Sequence, residues 1–307
     1  ALWRTTGAVP ARGGAGRWDM SWLSKLGRRY VERRWLGGTP PTHLNCWQEA
    51  FCEWNAERLG LSLAESRERF DRSWAALAGG HGGRVFKMHA HAQMELCRPF
   101  WGNTPEELRQ AYAAHQPLQL LRLLSYREPS LDAWPELRGL EQRPSPRIVD
   151  FGCGLAQLSI TWTRHLRERG RPAELFLADL PLLQLEFLRW LCPRWGLPAT
   201  IAVCTPEEPI PPLPPCDLCV ATEVLEHVHD PMRYLESFAA AVKPGGCLLT
   251  NIEDHTTEFL HVSPQLASLR EYLVRQGWRA LRPGRLYEKP GGDVSPDRTP
   301  FTPSPSL

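Results

Sequence analysis

The chain has 307 residues, 42% hydrophobic and 23% charged, with a formal net charge of +2. This allows a sizeable core in one large domain, or in one domain with a smaller companion, and argues against a surface built to grip a polyanion. No window approaches the roughly 18 to 20 uncharged apolar residues of a membrane span. The nine cysteines are irregularly spaced, and Cys153, Cys204, Cys219 and Cys247 fall in or beside apolar runs. They read as free thiols of a reducing, cytoplasmic setting, and the Cys216/Cys219 pair reads as part of a strand rather than a redox or zinc pair.

Residues 1–18 lack the apolar run of a secretory signal and read as a disordered arm. Residues 19–140 read as a helical region rich in tryptophan, including Trp22, Trp35, Trp47, Trp54, Trp74, Trp101 and Trp134. Its Arg28, Arg29, Arg33 and Arg34 cluster reads as a solvated helix face. Apolar residues recur at helical spacing over 42–59. Ser62 followed by Glu65 is a capping pattern, and Asn103-Thr104-Pro105-Glu106-Glu107 is a second helix start, with proline and acids in the first turn. The two prolines in 141–146 mark a linker.

Beyond it, strands and helices alternate. Strands are expected at 147–151, 174–179, 199–204, 217–222 and 247–252, with helices at 156–169, 182–195, 231–242 and 264–276. Two short strands follow at 278–281 and 285–288, and 290–307 reads as a loose tail rich in Pro, Gly and Ser. The expected fold is α/β: a doubly wound, mostly parallel seven-stranded sheet with an N-terminal helical segment, the sheet domain occupying 146–289.

Chemistry-bearing residues gather at the strand ends. The first strand runs into Asp150-Phe151-Gly152-Cys153-Gly154, whose glycines let backbone approach a ligand. The second ends in Asp179-Leu180, an acid placed to accept from ribose hydroxyls. The third ends near Cys204 and Thr205. The fourth leads into Thr222-Glu223-Val224-Leu225-Glu226-His227, and Val242-Lys243-Pro244-Gly245-Gly246 reads as a sharp turn before the fifth. Alone, the glycines suit any tight turn and Asp179 suits a helix cap. Together, at successive strand ends, they suit a ligand cleft.

The runs VDFGCG, LADLP, CDLCVATEVLEHVHDP and VKPGGCLL, in this order, resemble class I S-adenosylmethionine-dependent methyltransferases of Rossmann-like fold. The resemblance covers about half the chain. It implies S-adenosylmethionine as cofactor, with Asp150, Gly152, Cys153 and Gly154 along the methionine and ribose part and Asp179 on the ribose hydroxyls. Leu180 and Thr205 would flank the adenine, and Thr222 and Glu223 would line the methyl-transfer side. Two departures are a longer gap between Asp150 and Asp179 and a loop with five prolines between Pro209 and Pro215.

Glu223, Glu226 and His227 would project to one side of a helical turn. A similar ExxEH run followed by a later histidine occurs in small-RNA 2′-O-methyltransferases and ubiquinone-pathway O-methyltransferases, where it implies a divalent metal. The corresponding set here is Glu223, Glu226, His227 and His255, with His261 competing for the last place. Without metal, His227, His229, His255 or His261 is the candidate general base, since imidazole exchanges protons near neutral pH. In similar enzymes a helical segment before the sheet covers the cofactor, and Phe86, Phe100, Trp101 and Tyr112 are candidate walls of an acceptor pocket. The expected function is methyl transfer to an oxygen of a small molecule. The alternatives are an RNA 2′-O-methyltransferase and a non-catalytic scaffold of the same fold.

Overall fold

The computed structural model describes residues 44–78, 104–124, 129–254, 260–263 and 265–291. The expected arm, residues 292–307 of the expected tail, the Arg28–Arg34 cluster, Phe86, Phe100, Trp101 and His255 lie outside them.

Three helices come first: α1 (Cys46–Leu59), α2 (Leu63–Ala78) and α3 (Pro105–Leu124). Asn45 and Gln48 cap α1 reciprocally, and Gly60 ends it in the left-handed region at φ 65°. Ser62 and Glu65 exchange the expected capping bonds at the start of α2. Two 3-10 segments follow, Leu131–Ala133 and Pro135–Gln142. The second buries Leu137 and Leu140, so the linker is shorter than the prolines suggested, leaving only 143–146 irregular.

The remaining elements are β1 (Arg147–Phe151), α4 (Gln157–Glu168), β2 (Glu174–Asp179), α5 (Leu183–Arg194), β3 (Ala199–Val203), β4 (Cys216–Ala221), α6 (Pro231–Ala241), β5 (Val242–Thr250), α7 (Ala267–Arg275), β6 (Arg279–Arg282) and β7 (Leu286–Glu288). They form one seven-stranded sheet in the order β3-β2-β1-β4-β5-β7-β6. β1 to β5 pair in parallel and β7 runs antiparallel to both β5 and β6. Every residue of β4 is buried, as expected of a central strand covered on both faces. The sheet reverses its winding between β1 and β4, the crevice where open α/β sheets bind ligands.

The residues 242–246 differ from the expected turn. β5 already begins at Val242, which pairs with Cys216, and the register shifts before Leu218 pairs with Cys247. Gly245 supplies φ 69° at this irregularity, while a Cβ on Gly246 would lie 2.9 Å from the Asp217 carbonyl oxygen. The glycines therefore kink a strand rather than precede one.

The N-terminal helices share the core of the sheet domain. Phe51 and Trp54 of α1 pack on Phe187 of α5, with ring centroids 6.1 and 5.5 Å apart. No helix among the described residues is long and apolar enough to cross a membrane.

Candidate active site at the carboxyl edge of the sheet

β1 delivers the chain into a turn made by Gly152 (φ 63°) and Gly154 (φ 53°), and Ala156 (φ 51°) then opens α4. An added Cβ on Gly152 would meet Val224 Cγ2 at 2.5 Å, so the glycine turn packs directly on the Val224 side chain after β4. Asp150 lies beneath this turn, 5% exposed, and Ser159 Oγ of α4 donates to its Oδ2 at 2.6 Å. Burial pushes the Asp150 carboxyl up to about 8, against the Ser159 hydrogen bond and helped by the nearby Asp179 charge. Cys153 is also buried, which holds its thiol well above the usual range.

β2 ends at Asp179. Its Oδ2 accepts from the Gly154 N–H and its Oδ1 from the Leu180 N–H, both at 2.7 Å. One carboxylate thus ties the turn after β1 to the end of β2. Burial raises Asp179 to about 6, opposed by these two backbone donors. Thr205, beyond β3, closes a small loop: its Oγ1 accepts from the Glu208 N–H at 3.0 Å.

The segment after β4 carries the densest chemistry. Thr222 and Glu223 are exposed, and Glu223 adopts φ 57°. Leu225–His227 form a 3-10 turn with Glu226 fully buried, so Glu223 stands outside the turn expected to align it with Glu226 and His227. Asn251, just past β5, joins the two acids instead. Its Nδ2 donates to Glu223 Oε1 at 2.6 Å and to Glu226 Oε1 at 2.9 Å, and its Oδ1 accepts from the Glu223 N–H at 2.6 Å.

Residues 260–263 are fastened to the same turn. The Glu226 carbonyl accepts from the Val262 and Ser263 N–H groups, and Ser263 Oγ donates to the Val228 carbonyl. His227 Nδ1 lies 2.9 Å from the Leu260 carbonyl, a partner that only an N–H can satisfy, so Nδ1 carries a proton. His261 packs edge-on against His227 at 4.7 Å, and Tyr112 of α3 meets His227 at 6.0 Å. Ligand atoms of Glu226, His227 and His261 all lie within 4.8 Å of one another. His261 therefore lies beside His227, while His255 falls outside the described residues.

Three non-glycine residues among those described have positive φ: Ala156, Glu223 and Leu260 (62°). All three border this edge. Backbone strain of this kind persists where surrounding contacts enforce it, and functional sites are where it gathers.

Asn251 was not singled out from sequence. An asparagine after an apolar strand has no motif, and only the pairing of β4 with β5 brings it to Glu223.

A protein family described as "Methyltransferase domain" matches residues 123–285, more than half of the chain. No protein of curated function matches. Among solved structures, an O-methyltransferase family protein from Burkholderia thailandensis is similar at 14% identity over 78% of this chain and 87% of that one, with a TM-score of 0.43. A SAM-dependent methyltransferase from Aquifex aeolicus is similar at 16% identity over 56% of this chain and 95% of that one, with a TM-score of 0.38. An arsenic(III) S-adenosylmethionine methyltransferase from Chlamydomonas reinhardtii is similar at 17% identity over 34% of this chain and 38% of that one, with a TM-score of 0.29. The chain spans less than half the length of several other solved structures that it matches.

Proposed function

The chain belongs to the methyltransferase-domain family, and from that premise we propose that it transfers a methyl group from S-adenosylmethionine to an oxygen of a small-molecule acceptor. The observation that carries this proposal is Asp179 at the switch-point crevice, holding the glycine turn with two of its roughly four acceptor lone pairs. The Cys153 thiol adds a third hydrogen bond, and the acceptor capacity that remains suits a ribose hydroxyl, so the residues fit the cofactor. Gly152 and Gly154 would take the methionine end, with Asp150 and Cys153 supporting the turn from below. Leu180 and Thr205 would flank the base, and Thr222 and Glu223 would face the reacting methyl.

The cofactor supplies an electrophilic methyl carbon on a sulfonium. The protein's part is to hold the acceptor oxygen in line with the carbon–sulfur bond, keep water out and accept one proton. His227 Nε2 would take the proton that the acceptor hydroxyl gives up and pass it to solvent. The Nδ1 hydrogen bond to Leu260 supports this assignment, because it fixes the ring and makes Nε2 the basic nitrogen of the neutral imidazole. Tyr112 and His261, whose rings meet His227 edge-on, would form walls beside it.

A divalent cation is a second element of the proposal. One carboxylate and two imidazoles converge at Glu226, His227 and His261, and a histidine that donates its other N–H to a backbone carbonyl has the support typical of a metal ligand. A cation there would lower the pKa of the acceptor hydroxyl and take over the base's role. The buried thiols support work in a reducing, cytoplasmic setting.

The test is transfer of labelled methyl from S-adenosylmethionine to a panel of phenols, alcohols, carboxylates and amines, with and without Mg2+ or Mn2+. Labelled product from wild type and a loss of 100-fold or more in His227→Ala are expected. Label on nitrogen acceptors alone would overturn the choice of oxygen.

A further inference from the structure

α3 crosses the carboxyl edge of the sheet with one stripe of residues facing the domain. Tyr112 meets His227 after β4, and Leu120 is buried in the main core. Leu123 lies over the glycine turn, where an added Cβ on Gly154 would sit 3.3 Å from its Cδ1. Gln116 completes this stripe at the i, i+4, i+8 and i+11 spacing of one helix face, and is its polar member.

Gln116 has a specific partner. Its Oε1 accepts from the Leu183 N–H at 3.0 Å, across 67 residues of sequence. Leu183 is the first residue of α5, four residues after Asp179, and the N-cap Leu182 makes no side-chain capping bond. A helix start leaves its first N–H groups without intrahelical partners. Here one of them is capped from another helix.

We infer that Gln116 is a positioning residue of the cofactor site, fixing the register of α3 over the crevice by capping the helix that follows Asp179. A half-buried amide among apolar neighbours is costly unless its partner is in place. Sliding α3 by one turn would part Gln116 from Leu183, so the bonded register is strongly preferred. That register also puts Leu123 on Gly154 and Tyr112 on His227. The cofactor would then bind under a helix already fastened on its ribose side. This inference rests on the proposal that the crevice takes S-adenosylmethionine.

The test is calorimetric titration of the full chain with S-adenosylhomocysteine, alongside thermal unfolding. Gln116→Leu keeps size and apolar burial but cannot accept. Leu183→Pro removes the donor from the opposite side at the first helical position, where proline is tolerated. Gln116→Glu retains an acceptor at the positive end of α5. Each of the first two variants is expected to weaken S-adenosylhomocysteine binding about tenfold or more. The melting temperature of Gln116→Leu should stay close to wild type, while that of Leu183→Pro should fall because the Leu183 side chain also packs on the core. The double variant should be no weaker than either single one, and Gln116→Glu should stay within about threefold of wild type. Wild-type affinity in Gln116→Leu, or equal losses in Gln116→Leu and Gln116→Glu, would overturn the inference. Absence of binding by wild type itself would instead remove the cofactor proposal beneath it.

Discussion

The Asn251 side chain holds Glu223 at both ends, accepting from its backbone N–H and donating to its carboxylate, each at 2.6 Å. Glu223 is thereby kept at φ 57°, a conformation that costs an ordinary residue roughly 1–2 kcal/mol. Asn251→Ala should lower unfolding free energy by about 1–3 kcal/mol, since buried donor and acceptor contacts are lost. Glu223→Gly in that variant should recover part of the loss, because glycine adopts positive φ without the steric cost. Urea unfolding of the two single variants and the double checks this; a Glu223→Gly change that only adds to the damage would contradict it.

Asp150 gives the fold a pH dependence of definite sign. In the unfolded chain it ionises near pH 3.9, roughly, whereas burial holds its native carboxyl up to about 8. Between these values the native state binds more protons than the unfolded state, so stability is full below about pH 4 and falls as pH rises toward about 8. Asp179, raised to about 6, acts in the same direction over the lower part of that window. Unfolding measured from pH 5 to pH 8 should show wild type losing stability more steeply than Asp150→Asn. Parallel curves would exclude a strongly perturbed Asp150.

Gly152→Ala places a methyl 2.5 Å from Val224 Cγ2 and forces alanine to φ 63°. A destabilisation of about 2 kcal/mol or more is expected. Val224→Ala should relieve the contact but not the backbone strain, restoring only part of the stability in the double variant. Full restoration would mean that the strain is negligible.

The metal element of the proposal has its own test. Mn2+ should bind wild type with measurable heat, and His227→Ala and His261→Ala should each abolish it, because removing one of three protein ligands leaves too few. Unchanged heat in both variants would place any bound Mn2+ elsewhere.

Much of the sheet was legible because its strands are short apolar runs closed by a charge or a glycine. Arg147–Phe151 and Glu174–Asp179 have the bounds that the sequence suggests. Legibility failed where distant pairing overrides local chemistry. Val242 to Gly246 reads locally as a turn, yet backbone pairing with β4 draws it into β5. Glu223 was expected to share a helical face with Glu226, but its left-handed backbone and the Asn251 amide set the geometry instead. Gln116 carried no signal at all, since its partner is a backbone N–H 67 residues away. By contrast, Glu226 and His227 stood in a contiguous motif, and the structure brings His261 to them.

The central claim is that the crevice beside Asp179 binds S-adenosylmethionine. Its most direct test is calorimetric titration of the purified full chain with S-adenosylhomocysteine, beside Asp179→Ala and without added metal. The account predicts one site per chain in wild type and a loss of about 100-fold or more in the variant, since the carboxylate both shapes the glycine turn and offers its remaining acceptor capacity to the ribose. No heat from folded wild-type protein, or equal affinity in Asp179→Ala, would contradict it.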